Sequence, residues 1–191
     1  MEAPMNYSPR KIRTLSRVLK LLFFITALAL PVIVAGAWIT NGYPFLKPLV
    51  YCSPFPEISG ISIKPFTEIP AHTKLIGFLI SLIPVAFQTT ALLLLVRLFG
   101  LFERFEFFSQ KSVICIQRLG WCLLIGQLVY PLYLGLLTLA LTISNPPGER
   151  TISVAFGMEQ LHLVIIATII ILVSWVMNEG RKLQDEQAAT I

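Results

Sequence analysis

The chain has 191 residues, 55% of them hydrophobic and only 13% charged, with a mean hydropathy of +0.77. A soluble domain carries about 25% charged residues, so there is too little charge here to solvate a surface, and the soluble classes are excluded. The net charge of +5 belongs to a membrane protein of one domain.

A helix needs roughly 20 apolar residues to cross the hydrocarbon core. Four uncharged stretches reach that length, at 21–46, 75–96, 119–148 and 160–178. They predict spans near 19–38, 74–99, 112–143 and 158–178. The expected fold is all-α, an integral membrane four-helix bundle with one Pro-rich external loop.

Residues 1–9 form a polar tail expected to be disordered. The first span opens on Lys11, Arg13, Arg17 and Lys20 and contains Ala35-Gly36-Ala37, which together imitate a cleavable leader. Its apolar run continues through Trp38 and Ile39, long enough for an anchor, and we read it as retained. Pro31 frees one carbonyl and permits a kink; a packing role outweighs a hinge, because prolines are common in such helices.

The external loop, 40–73, holds Pro44, Pro48, Pro54, Pro56, Pro65 and Pro70, too many for a helix. Ile58-Ser59-Gly60-Ile61-Ser62-Ile63 alternates as a short strand would. Tyr43, Phe45, Tyr51, Phe55 and Phe66 suit the headgroup level. An apolar cover on the bundle is favoured over a ligand-binding lid. Span two contains Pro84, Gln88, Thr89 and Thr90. The loop 100–111 mixes charges with aromatics. Ser109 reads as the N-cap of a helix whose entry turn, with Lys111 and Arg118, would lie on the inner surface. Span three ends at Asn145-Pro146-Pro147-Gly148, a turn signal. The last helix is expected to continue to Glu186 within a stalk, 179–191, where Arg181 pairs with Asp185 and Lys182 with Glu186.

Lys and Arg concentrate on the cytoplasmic side of a membrane. Arg10, Lys11, Arg13, Arg17 and Lys20 precede span one, Arg97, Arg104, Lys111 and Arg118 flank the second connection, and Arg181 and Lys182 follow span four. The other side holds Lys47, Lys64, Lys74 and Arg150, balanced by Glu57, Glu68, Glu149 and Glu159. Both termini are therefore expected in the cytoplasm. The high pI is topological: it favours anionic headgroups of the lipid bilayer and gives no reason for direct nucleic-acid binding.

Few residues carry chemistry. Cys52 is external, while Cys115 and Cys122 lie seven apart on one helix face, beyond disulfide reach on a straight helix, and read as packing residues. His72, Glu159 and His162 fall near the outer surface, short of the three or four ligands that a metal needs. No metalloprotease pair, P-loop, dinucleotide turn or serine elbow is present. No cofactor is expected, and the chain is not read as an enzyme. Gln88 and Gln127, with Tyr130 nearby, lie near mid-span and are expected to form a polar seam. An amide in lipid wants a partner on another helix, so bundle glue is favoured over a substrate contact.

Two segments resemble a known family. One runs from Leu98-Phe99 through Phe108-Ser109 to Arg118-Leu119-Gly120-Trp121. The other is Val176-Met177-Asn178-Glu179-Gly180-Arg181-Lys182-Leu183-Gln184-Asp185-Glu186-Gln187, ending Thr190-Ile191. Together, over roughly 74–191, they resemble the bacterial four-span membrane proteins catalogued as domain of unknown function twenty-nine seventy-five. The chain departs in Glu103-Arg104-Phe105-Glu106, where many members carry a glycine before the phenylalanine, and in Ala188-Ala189, where a leucine is usual. The resemblance implies a bacterial inner membrane, no known enzyme activity and, for some members, a neighbouring helix-turn-helix regulator.

The leading expectation is a non-catalytic sensing, anchoring or regulatory module. It would act through Glu103, Arg104 and Arg118 together with Glu179, Arg181, Lys182 and Glu186. The alternative is a small oligomeric transporter lined by Gln88, Thr89, Gln127, Tyr130 and Tyr133, with no intramembrane carboxylate for proton coupling. A lipid enzyme using His72, Glu159 or His162 ranks lowest, because a general base alone needs a nucleophile or metal nearby.

Overall fold

A computed structural model of the chain describes residues 9–39, 69–143, 145, 146, 148 and 150–189. The expectations for the tail, for 40–68 with Cys52, the alternating patch and the loop aromatics, and for the side chain of Asp185 lie outside the described residues. Four helices follow in order: α1 (Pro9–Ile39), α2 (Ala71–Glu103), α3 (Gln110–Thr142) and α4 (Met158–Ala189). Each is long and apolar enough to cross a membrane. Each holds one predicted span, that of α3 ending one residue early. At 31 to 33 residues and 1.5 Å per residue they reach about 46–50 Å, well past a core of about 30 Å.

The helices are apolar all round, with Leu28, Leu79, Leu132 and Ile169 pointing outward. Lipid is as apolar as leucine, so helices in it are held by close packing rather than by a hydrophobic drive. Small residues supply the approach. The indole of Trp38 on α1 lies against Gly77 of α2, Phe87 of α2 against Gly126 of α3, and Ala167 and Ile171 of α4 against Gly120 of α3. Backbone approach links only sequence neighbours, α1 with α2, α2 with α3 and α3 with α4. Among the described residues the array is therefore open, with no such approach between α1 and α4. A core of Val34, Trp38, Ile69, Val85, Tyr133, Leu137 and Leu141 joins α1, α2 and α3 towards the end away from the termini.

The α2–α3 register is fixed by thiols. Cys115 Sγ donates to the Leu94 carbonyl at 3.2 Å and Cys122 Sγ to the Phe87 carbonyl at 3.4 Å. The shared cysteine face thus packs on α2, as expected. Antiparallel helices are related by an approximate two-fold axis, so residues at equal offset from the seam lie on one flank. Phe99, one past buried Leu98, meets Phe23 of α1, and Gly120, one past buried Leu119, meets α4. α1 and α4 accordingly stand on the same flank, with a furrow between them.

The α3 entry turn differs from its expectation. Ser109 caps α3, accepting from Ser112 N at 3.2 Å, and the helix then runs unbroken from Gln110. Ser112, Val113 and Cys115 are buried, which holds the first turns upright and leaves no separate surface helix. Pro31, Pro84 and Pro131 all sit inside helices that continue past them.

After α3 the chain turns at Asn145, whose N–H donates to the Thr142 carbonyl at 3.0 Å. Residues 150–157 then fold back along α3 as an extended strap. Ser153 N donates to Thr138 Oγ1 at 3.0 Å and Thr151 N to Thr142 Oγ1 at 3.3 Å. Gln160 Oε1 accepts from Gly157 N at 2.9 Å, the backward half of a capping box that starts α4. Valine at both Thr138 and Thr142 would strand two backbone donors, each worth about 1–3 kcal/mol. The double variant is expected to lose about 3 kcal/mol in detergent unfolding, and serine at both positions little. Unchanged stability in the valine pair would mean that the strap is held otherwise.

Candidate functional site

Both ends of the described chain lie at one end of the array, where most of the charge lies. Glu103, beyond the uncharged stretch of α2, is clamped there by α1. Its Oε1 accepts from Arg17 Nε at 3.0 Å and Nη2 at 2.9 Å, and Lys20 Nζ is 3.5 Å from Oε2. The Arg17 hydrogen bond holds this carboxyl below the usual range against a smaller opposing effect of desolvation, with the charges of Arg17 and Lys20 adding to it. A carboxyl lowered in the fold stabilises fully above the ordinary carboxylate pKa, and that stability is lost as pH falls through the lowered value. Wild type is therefore expected to melt above Glu103→Gln at neutral pH, by the modest margin of an exposed pair. The gap should close in acid, below about pH 4. A gap independent of pH would contradict the clamp.

The turn after Glu103 is a Schellman motif. Phe105 N donates to the Phe102 carbonyl at 3.0 Å and Glu106 N to the Leu101 carbonyl at 3.1 Å. The left-handed position at φ 62°, where glycine is usual, is held by Phe105. Rings of Phe99, Phe102, Phe107 and Phe105 follow one another at 5.2–6.0 Å between centroids, and Ser112 Oγ donates to the Glu106 carbonyl. Phe105 and Phe108 remain exposed.

α4 supplies the other half. With Gly120 against Ala167 and Ile171, Glu179 is level with the start of α3, and the helix projects about 15 Å further. Lys182, Leu183 and Glu186 are exposed on this stalk. An ion pair on it joins Lys182 Nζ to Glu179 Oε2 at 3.1 Å, a backward i,i+3 contact.

The predicted surface residues all occur at this end, but on different sides. Arg118, one before buried Leu119, points to the flank opposite α4, and Arg104 lies seven residues after Arg97 on that flank. Glu179, Arg181, Lys182 and Glu186 stay together on α4. Gln88, one past Phe87, and Gln127, one past Gly126, both face the furrow flank, Gln88 exposed and Gln127 half-buried. With Phe87 against Gly126, the two lie within a few residues of one another in height. Tyr130 is half-buried, its ring 5.8 Å from that of Tyr133. His72 and His162 are exposed on the first turns of α2 and α4. No cluster of three metal-ligating side chains occurs among the described residues.

A family model described as Protein of unknown function (DUF2975) matches residues 60–191. The chain belongs to this family. The DUF2975 match takes in α2, α3 and α4 and leaves out α1 (Pro9–Ile39), although α1 supplies the cations that clamp Glu103. The two segments that carry the DUF2975 resemblance become the α2–α3 turn and the α4 stalk, at one end of the array. No match to the chain is found among curated proteins or solved structures.

Sequence reasoning missed the Glu103 clamp, the threonine-pinned strap and Phe105 at the left-handed position. A signal existed only for the strap: Thr138 and Thr142 four apart on α3, with Thr151 and Ser153 two apart beyond the turn.

Proposed function

We propose that this chain is a non-catalytic module of the bacterial inner membrane, with both termini in the cytoplasm, that holds a soluble regulatory partner at its cytoplasmic face. The projecting stalk carries the reading. A helix leaves the array for about 15 Å and presents Leu183 exposed among charged side chains. An amphipathic helix is a common docking element. The partner proposed is a small helix-turn-helix regulator, the neighbour that the resemblance implies. A photoreactive residue at 183 in living cells is expected to give one discrete adduct with a soluble protein, and the same residue at Leu161, near the opposite end, none. No adduct at 183, or the same adducts at both, would overturn the reading.

The second reading is a small oligomeric permeability component. The furrow flank favours it, since Gln88 and Gln127 both face the space between α1 and α4, which the described residues leave open. Reconstituted vesicles should then show a flux that Gln88→Leu reduces. Flux equal to that of empty vesicles would end this alternative.

A further inference from the structure

Arg97, Arg104, Lys111 and Arg118 recur every seven residues across the α2–α3 turn. Seven residues return to nearly the same face of a helix, so Arg97 stacks with Arg104, and Lys111 with Arg118. Arg97 stands one before buried Leu98 and Arg118 one before buried Leu119. By the two-fold relation both pairs lie on one flank of the seam, the flank that α1 and α4 leave bare. All four side chains are exposed. Arg17 and Lys20 are matched by Glu103. No side-chain hydrogen bond or ion pair engages these four among the described residues.

Their heights differ in a useful way. In the register set by Cys115 with Leu94 and by Phe87 with Gly126, Arg118 starts a few residues closer to mid-membrane than Arg97. Side chains tilt towards their own helix N-terminus. On antiparallel helices Arg97 therefore leans into the membrane and Arg118 leans out. Two guanidinium groups converging without an acid repel one another unless an anion sits between them. Deeper on the same flank the surface is apolar, with Ala86, Trp121 and Ile125 exposed. An acidic peptide would satisfy the cations and leave that track uncovered. An amphiphile satisfies both.

We propose that this flank binds an anionic phospholipid of the leaflet at the basic end, its phosphate between Arg97 and Arg118, its headgroup rim at Arg104 and Lys111, and its chains along Trp121 and Ile125. The site stands whether or not the stalk holds a protein. Trp121 is a built-in reporter, since bromine on an acyl chain quenches an indole that it touches. The full chain would be placed in phosphatidylcholine vesicles holding a small, equal fraction of brominated phosphatidylglycerol or brominated phosphatidylcholine. Trp38 is buried, and Trp175 on α4 meets either lipid alike. Each cation near an anionic lipid favours it by about fivefold, so Arg97 and Arg118 together should favour the phosphatidylglycerol by about 25-fold at low salt. Arg97→Gln with Arg118→Gln should lower the preference by at least about tenfold, and lysine at both sites should keep most of it. Arg10→Gln with Arg13→Gln, which removes the same charge from α1, should leave it intact. Equal quenching by the two lipids in wild type, which needs no variant to fold, would overturn the proposal. So would an equal loss in the α1 variant.

Discussion

Gly120→Ala is expected to loosen α4 from the array and to lower stability by about 2 kcal/mol, with valine worse. A Cβ at this site would stand 2.6 Å from Ile171 Cγ1 and 3.2 Å from both the Ala167 oxygen and the Ile171 nitrogen. Two of those three atoms are backbone, so relief requires α4 to move bodily. Among the described helices α4 packs only on α3, and no second neighbour resists the movement. Ile171→Ala in the Gly120→Ala background removes the Cγ1 clash and leaves the backbone contacts, so about half the loss should return as a coupling energy. Denaturant titration of the four single and paired chains measures it. Strict additivity would mean that the helices do not approach this closely.

Gly77→Ala is the second large effect, expected near 3 kcal/mol. The added carbon would lie 2.2 Å from Trp38 Cη2 and 2.8 Å from Cζ3. Trp38 belongs to the core with Val34, Val85, Tyr133 and Leu137, so the indole cannot swing aside without displacing the residues that join three helices. A smaller side chain at 38 should rescue the variant: Trp38→Leu with Gly77→Ala is expected to be more stable than the sum of the single losses by at least about 1 kcal/mol. Additive losses would show that the ring lies elsewhere.

The spans were legible because charge is excluded from the hydrocarbon core, and Lys20, Lys74, Arg97, Arg118, Glu159 and Glu179 border the four apolar runs. The α3 start was legible because a serine hydroxyl satisfies free backbone donors there. What was not legible depended on register between helices, which no single segment encodes. Gln88 and Gln127 lie near mid-span on their own helices, but that both face one flank follows only from the Phe87, Cys115 and Cys122 contacts that set α2 against α3. The Glu103 clamp joins residues 86 apart in the chain and leaves no local pattern. Phe105 hid the end of α2, because the left-handed residue is ordinarily a glycine. The basic heptad was visible as a count of charges. Its placement on one flank required the seam.

The docking reading and the lipid site both rest on the basic end facing the cytoplasm. Sided cysteine labelling tests that most directly, with a membrane-impermeant maleimide on intact cells. Cys52 in an otherwise cysteine-free chain should react at once. A chain whose one cysteine comes from Lys182→Cys should react only after permeabilisation. Labelling of the 182 site in intact cells, with Cys52 protected, would invert the chain in the membrane and contradict the account.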